Sequence, residues 1–373
     1  MIKLNHVSFA YKTGEAGEPI QVLHNVNFQA APGECVVFCG KSGCGKTTML
    51  RLINGLVPHF YAGNLEGSTL IGGVDTTQTP LPRMARIVGS VFQNPRTQFF
   101  HLDTTGEMVF NLENQNISCS EMQKRLQEVV CRLNLQELME RNIFELSGGE
   151  KQQIACGSAY ASLPPIIVMD EPSSNLDMES IRKLQKIICI MKEEGKTVLL
   201  SEHRLWYLEG IADRYVLLEN GQIRQEFTPE MIAKLSKENR DKMGLRAVSR
   251  KQLYEPCYDM NIGEYSDVGL EIDRLQFCRE KRQVLNIPHL KIPKGAIVAV
   301  IGENGAGKST LSLCLTGLLK HAGTIRIDDE KIPNKKLSEQ TYLVMQEAGH
   351  QLFSDTVLGA VSYTHLRAHE TLS

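Results

Sequence analysis

Two glycine-rich runs have the composition and spacing to hold phosphate. Gly40-Lys41-Ser42-Gly43-Cys44-Gly45-Lys46-Thr47 follows the apolar run 35–39, and Gly302-Glu303-Asn304-Gly305-Ala306-Gly307-Lys308-Ser309 follows the apolar run 297–301. Glycines at this spacing let successive backbone N–H groups turn onto phosphate oxygens, and a following helix adds its positive N-terminal end. Lys46 and Lys308 then reach the β- and γ-phosphates, while the Thr47 and Ser309 hydroxyls ligate Mg²⁺. Thr48 and Thr310 complete the two cradles. A third run, Pro165-Ile166-Ile167-Val168-Met169-Asp170-Glu171, ends an apolar strand with two adjacent acids. That is costly unless a cation or a reacting water needs them. Asp170 is the metal-side carboxylate, and Glu171 is placed to polarise the attacking water as general base.

The elements that must position these groups are written twice. Gly33 stands as far before Gly40 as Gly295 stands before Gly302, and both intervals are apolar. Further on, Gln93-Asn94-Pro95-Arg96-Thr97-Gln98-Phe99-Phe100 returns as Gln346-Glu347-Ala348-Gly349-His350-Gln351-Leu352-Phe353. A period this long means two copies of one domain. The runs 35–39, 166–169, 197–200 and 297–301 read as buried strands alternating with helices, an α/β arrangement with a parallel sheet. Ser118 and Glu121 have the spacing of a capping box, opening a helix with Met122, Leu126, Val129, Val130 and Leu133 on one face. Thr228-Pro229 reads as another helix start, in a stretch of alternating charge taken as a solvated connector.

Composition narrows the classes. At 373 residues the chain has room for about two domains. Its 41 Lys and Arg against 43 Asp and Glu leave a formal net charge of −2, without the basic excess of a nucleic-acid binder. No window approaches the about 20 apolar residues of a membrane span, and the N-terminus has no signal-peptide core. A cytosolic protein is expected, with its ten cysteines as buried free thiols.

Leu146-Ser147-Gly148-Gly149-Glu150-Lys151-Gln152 lies upstream of the acid pair. Here the chain resembles the ATP-binding cassette (ABC) ATPases, whose signature is Leu-Ser-Gly-Gly-x-x-Gln. The resemblance implies a P-loop cassette with a parallel-sheet core, an antiparallel β subdomain and a helical subdomain. It also implies that Ser147, Gly148, Gly149 and Glu150 grip nucleotide held by an opposing cassette. Gln93 becomes the Q-loop glutamine, reaching Mg²⁺, with Gln346 its counterpart. Ser174-Asn175-Leu176-Asp177 becomes the D-loop, His203 the switch histidine at the γ-phosphate, and Tyr11 the aromatic on adenine. Arg279 stands where the second copy would carry that aromatic. The activity implied is Mg·ATP hydrolysis.

Within the superfamily, Gln-x-x-x-x-Gln-[Phe/Leu]-Phe resembles the Q-helix of energy-coupling factor (ECF) importers of vitamins or metal ions. The implied partners are a transmembrane T subunit, docked on Gln98, Phe99, Phe100, Gln351, Leu352 and Phe353, and a substrate-binding S subunit. The implied location is the cytoplasmic face of the membrane. The rival reading is a soluble tandem cassette factor acting on ribosomes or nucleic acid, whose linker would be long and strongly charged.

The expected layout is a first cassette over 1–227, a linker over 228–269 and the N-terminal part of a second cassette over 270–359. The signature begins 53 residues after Gln93, and the same distance from Gln346 passes Ser373. The second signature, acid pair and switch histidine are therefore expected to be missing, and a second cassette or second copy must complete the composite ATP sites. The last residues, 360–373, lack periodicity. They resemble translated adapter read-through, and a longer natural protein is expected.

Overall fold

The computed structural model describes residues 1–12, 18–253, 267–280, 282–302 and 305–345, with 352, 354, 356–359 and 361. Two compact units divide the chain, Met1–Cys257 and Tyr258–Ser373.

Unit 1 is built on two sheets. An antiparallel sheet in the order β2-β1-β4-β5 comprises β1 (Ile2–Tyr11), β2 (Ile20–Ala30), β4 (Gly63–Ile71) and β5 (Val74–Asp75). The second sheet runs β10-β9-β3-β8-β7-β6 and comprises β3 (Cys35–Cys39), β6 (Val88–Val91), β7 (Ile166–Asp170), β8 (Thr197–Ser201), β9 (Arg214–Glu219) and β10 (Gln222–Phe227). Its core pairs are parallel, and only β10 joins antiparallel, at the edge. The sheet is therefore mixed. Strand β3 is buried along its whole length because β8 and β9 flank it, Val36 and Phe38 pack in the cluster shared with the antiparallel sheet, and Cys35, Val37 and Cys39 in the cluster shared with helices. Such strands carry continuous apolar runs rather than alternation, which is why 35–39, 166–169 and 197–200 were readable.

The helices follow their sequence signals with one amendment. Ser118 caps Cys119–Arg132 by accepting from the Glu121 N–H, but the box is not reciprocal. Glu121 turns instead to Arg125, at 2.8 Å. Val129 and Leu133 are buried, with Met122, Leu126 and Val130 half-buried against the same core. Thr228 caps Pro229–Ala233 as its sequence implies. The stretch beginning there is not a solvated connector. The helices Pro229–Ala233, Lys237–Met243 and Arg250–Leu253 belong to unit 1, and Ile232 of the first, with Leu245 and Val248 between the last two, is buried in its core. A few apolar anchors among many charges sufficed, and alternating charge hid them.

The thiols are more varied than expected. Burial pushes Cys35, Cys39 and Cys156 up to about 12, whereas Cys119, Cys131 and Cys278 are exposed. Among the described residues, no helix is long and apolar enough to cross a membrane.

Unit 2 has an antiparallel sheet ordered β12-β11-β13-β14, formed by β11 (Val268–Arg279), β12 (Arg282–Pro293), β13 (Ala322–Ile327) and β14 (Glu330–Ile332). With the helix Lys308–Leu315 it encloses a small core of Ile272, Leu275, Leu285, Leu311, Cys314, Ile325 and Leu337. The expected strand over 297–301 does not form. Among the described residues no strand pairs with it, and Ile297, Val298, Val300 and Ile301 are exposed. The equivalent β3 is a strand because two neighbours hydrogen-bond it; an isolated strand has no such support.

Candidate nucleotide site

The first glycine run leaves β3 and enters the helix Lys46–Ile53. Gly40 has φ 137°, and a Cβ there would lie 2.3 Å from the Leu218 carbonyl oxygen, so only glycine fits. Gly43 and Gly45 also have positive φ, and Gly45 is an N-cap without a side-chain bond. The first N–H groups of the helix therefore have no side-chain acceptor, as an anion site requires. Lys46 is 4% exposed, and its Nζ donates to the Gly40 and Lys41 carbonyls at 3.1 and 3.0 Å. A buried ammonium curled into its own loop, beside unpaired amides, fits a polyphosphate.

The acids meet this loop from β7. Thr47 Oγ1 donates to Asp170 Oδ1 at 3.1 Å, so the hydroxyl and carboxylate expected at Mg²⁺ are brought together. Burial raises the Asp170 carboxyl above its ordinary range, as suits a group awaiting a cation. Glu171 follows with φ 43°, a left-handed backbone unusual for a side chain of this size. Its Oε2 accepts from Gln93 Nε2 at 3.0 Å, and its Oε1 lies 3.2 Å from His203 Nε2. The same His203 nitrogen is 3.4 Å from Lys46 Nζ. One imidazole nitrogen cannot donate to Glu171 and accept from Lys46 at once, so the proton on Nε2 selects its partner. Burial, followed by the Lys46 charge, lowers the His203 pKa against the opposing pull of Glu171. The neutral ring is favoured. Gln93, Glu171, His203 and Lys46 thus form one connected group.

Other expected members lie elsewhere. The Tyr11 hydroxyl bonds Thr48 Oγ1 at 3.1 Å and accepts from Arg51 at 3.1 Å. Its ring packs edge-on against Phe9 and Tyr61. Ser42 lines a cavity of about 570 Å³ on the outer side of the loop, with Lys41, Arg224 and Lys242.

The signature is a self-contained helix start. Ser147 accepts from the Glu150 N–H, and the Glu150 carboxylate accepts from the Ser147 N–H at 2.7 Å and from Arg141 at 2.8 Å. These bonds stay local rather than reaching the P-loop. A Cβ on Gly149 would fall 2.0 Å from Ser180 Oγ, so glycine permits the close approach of Gly148–Ala161 to Met178–Glu193, whereas Gly148 has open space above it. Buried Lys151 donates to the Leu146 carbonyl at 2.6 Å and steadies the turn. Nothing in the neighbouring residues signals that role.

The Q-helix residues have divided duties. Gln98 accepts from the Phe92 N–H and donates to the Ser90 carbonyl, both at 3.1 Å, and so shapes the loop carrying Gln93. Phe99 packs on the core. Phe100 is 76% exposed and stacked on Phe110. A groove of about 600 Å³ runs from Thr47 and Asp170 past Gln93 to Phe60, Phe92 and Phe100.

The described residues of the second glycine run repeat features of the first. Gly305 and Gly307 have positive φ, and Lys308 Nζ donates to the Gly302 carbonyl at 2.8 Å, as Lys46 does to Gly40. Ser309 is exposed and Thr310 half-buried. Asn304, Gln346, Gln351 and Phe353 lie outside the described residues; Leu352 is exposed.

The sequence pattern of the ABC transporter family matches residues 23–174 and 285–367. The chain belongs to the ABC transporter ATP-binding family. A Treponema denticola relative, described as an ABC transporter ATP-binding protein, is 41% identical over 366 residues, covering 96% of the chain and 73% of the relative. A Methanosarcina mazei protein of the same description is 32% identical, covering 97% and 71%. Among solved structures, the dimeric cassette MJ0796 with ADP and Pi is 30% identical with a TM-score of 0.53, covering 61% of this chain and 99% of that one. The fold is also that of cbiO1 from Clostridium perfringens, part of the transporter complex cbiONQ, at 23% identity, TM-score 0.55 and coverage of 66% and 94%. ABC cassettes are Mg·ATP-dependent ATPases and subunits of transporters. The cradle, Lys46 and the Thr47–Asp170 pair fit that nucleotide and metal.

Proposed function

We propose that this ABC protein is the motor subunit of an ECF-type importer, acting at the cytoplasmic face of a membrane. Unit 1 is read as a cassette, and unit 2 as the N-terminal part of a second. The observation that carries the subtype is the Gln-x-x-x-x-Gln-[Phe/Leu]-Phe run after both Q-loop glutamines, with Phe100 exposed at the mouth of a groove that leads back to Gln93. A helix of a transmembrane T subunit seated there would touch the residue that holds Glu171. The solute, a vitamin or metal ion, would be captured by a separate S subunit.

In this reading Thr47 and Asp170 hold Mg²⁺, with Gln93 beside them, and the ion supplies positive charge to the phosphates. Lys46 and the 40–47 amides bind the phosphate chain, Glu171 takes the proton of the attacking water, and His203 steadies charge at the γ-phosphoryl group. Ser147, Gly148, Gly149 and Glu150 face nucleotide on an opposing cassette, and the open space above Gly148 is compatible with that.

Affinity purification of the gene product from gently solubilised cells tests the assignment. A polytopic membrane protein should co-purify, and Phe100→Ala should lower its recovery about tenfold, as loss of an aromatic anchor does. Phe100 touches solvent, so the variant should fold normally. Ribosomes or RNA in place of a membrane protein would overturn the importer reading.

A further inference from the structure

His203 is flanked by two residues that the mechanism does not use, and both reach the segment that follows Glu171. Glu202 is 2% exposed, yet its carboxylate is fully engaged. Oε1 accepts from the Ser173 N–H at 3.0 Å and the Tyr207 hydroxyl at 2.8 Å; Oε2 accepts from the His203 and Arg204 N–H groups at 2.9 and 3.1 Å. On the other side of His203, Arg204 Nη1 donates to the Ser173 and Leu176 carbonyls at 3.3 and 3.0 Å. Buried Ser173 is thus held by its N–H through Glu202 and by its carbonyl through Arg204.

We propose that Glu202 is a positioning residue that, with Arg204, clamps the D-loop to the switch histidine, so that the two segments move as one body when the γ-phosphate site fills. The inference rests on the reading of His203 as the γ-phosphate contact. The chemistry of the carboxylate supports it. All four groups that meet it are donors, so an acceptor-only anion satisfies each of them. A glutamine of the same shape would turn an NH₂ toward two of those donors and break that side of the clamp. Glu202 leaves β8 with its own N–H bound to the Phe38 carbonyl at 3.0 Å, and its carboxylate reaches the Ser173 N–H beyond β7. Its side chain therefore stands between the end of β8 and the end of β7.

The experiment is hydrogen exchange of the whole chain, with and without the Mg²⁺ complex of a non-hydrolysable ATP analogue, alongside equilibrium binding of that analogue. In the parent protein, analogue binding should slow exchange across 173–177 by about tenfold, the scale of a hydrogen bond to a charged group. In Glu202→Gln that slowing should vanish while affinity stays within about threefold, since its carboxylate partners lie outside the 40–47 cradle and it meets His203 only at the backbone N–H. Tyr207→Phe, which removes one donor, should lose part of the slowing and serves if Glu202→Gln does not fold. Slowing that persists in both variants, or that is absent from the parent, overturns the proposal. His203→Ala separates the two readings. If it alone keeps the slowing, the switch assignment fails; if it loses the slowing while Glu202→Gln keeps it, the clamp fails and the switch stands.

Discussion

Replacing Glu171 with Gln should lower ATP turnover by about 10²–10⁴-fold, the range for removal of a general base, and leave nucleotide binding nearly unchanged. The amide preserves the shape of the carboxylate and can still meet Gln93, which donates to Oε2 at 3.0 Å. What disappears is the basic oxygen facing His203 Nε2 at 3.2 Å. The amide NH₂ that takes its place turns that nitrogen into an acceptor, which Lys46, 3.4 Å away, can also meet, so ground-state binding has little to lose. Steady-state turnover with calorimetric ATP binding on the same preparation gives the result. Turnover within about threefold of the parent would remove Glu171 from the role of base.

Lys46→Ala should act on the opposite parameter. The ammonium is buried and meets neutral groups, the Gly40 and Lys41 carbonyls and the favoured neutral ring of His203, so its charge is available to an incoming anion. Hydrogen bonds to charged groups contribute about 1.5–3 kcal/mol each. Losing two of them at the phosphates, together with the bonds that shape the 40–45 loop, should weaken ATP binding by about 10²–10⁴-fold. Retained affinity, measured with a fluorescent nucleotide, would overturn the cradle assignment. The fold should survive, because the helix Lys46–Ile53 is anchored by Met49, Leu50, Leu52 and Ile53 rather than by its first residue.

Most of the candidate site was legible because each member belongs to a run whose spacing has a physical reason. A glycine cradle needs φ values other residues avoid, and acids at the end of an apolar strand demand a cation. The groups that hold that machinery in place were less legible. Glu202 could have been noticed, since it follows directly on β8 as Glu171 follows on β7; Lys151 could not, because a lysine in a polar helix start looks solvated until its burial is seen. Of the docking residues expected in unit 1, Gln98 and Phe99 are half-buried, one bonded to the Gln93 loop and the other packed on the core, whereas Phe100 faces outward. Local patterning states which residues are apolar, not which of two adjacent phenylalanines turns inward. The run 297–301 shows the limit from the other direction. Its sequence is strand-like, but a strand exists only where neighbours pair with it.

That unpaired run also bears on how the protein behaves at high concentration. Ala296-Ile297-Val298-Ala299-Val300-Ile301 has no charge and no proline, and is rich in β-branched residues. Such six-residue windows, when solvent-accessible, are the seeds of cross-β stacking between molecules. In unit 1 the homologous run is shielded by β8 and β9; here its backbone donors and acceptors have no strand partner among the described residues. Concentrated samples should therefore scatter light progressively with time, and Val298→Lys, which places a gatekeeper charge in the run, should slow that growth without touching the 40–47 cradle. The cost of carrying a second glycine cradle in this chain is then colloidal, and falls on its solubility rather than on its chemistry.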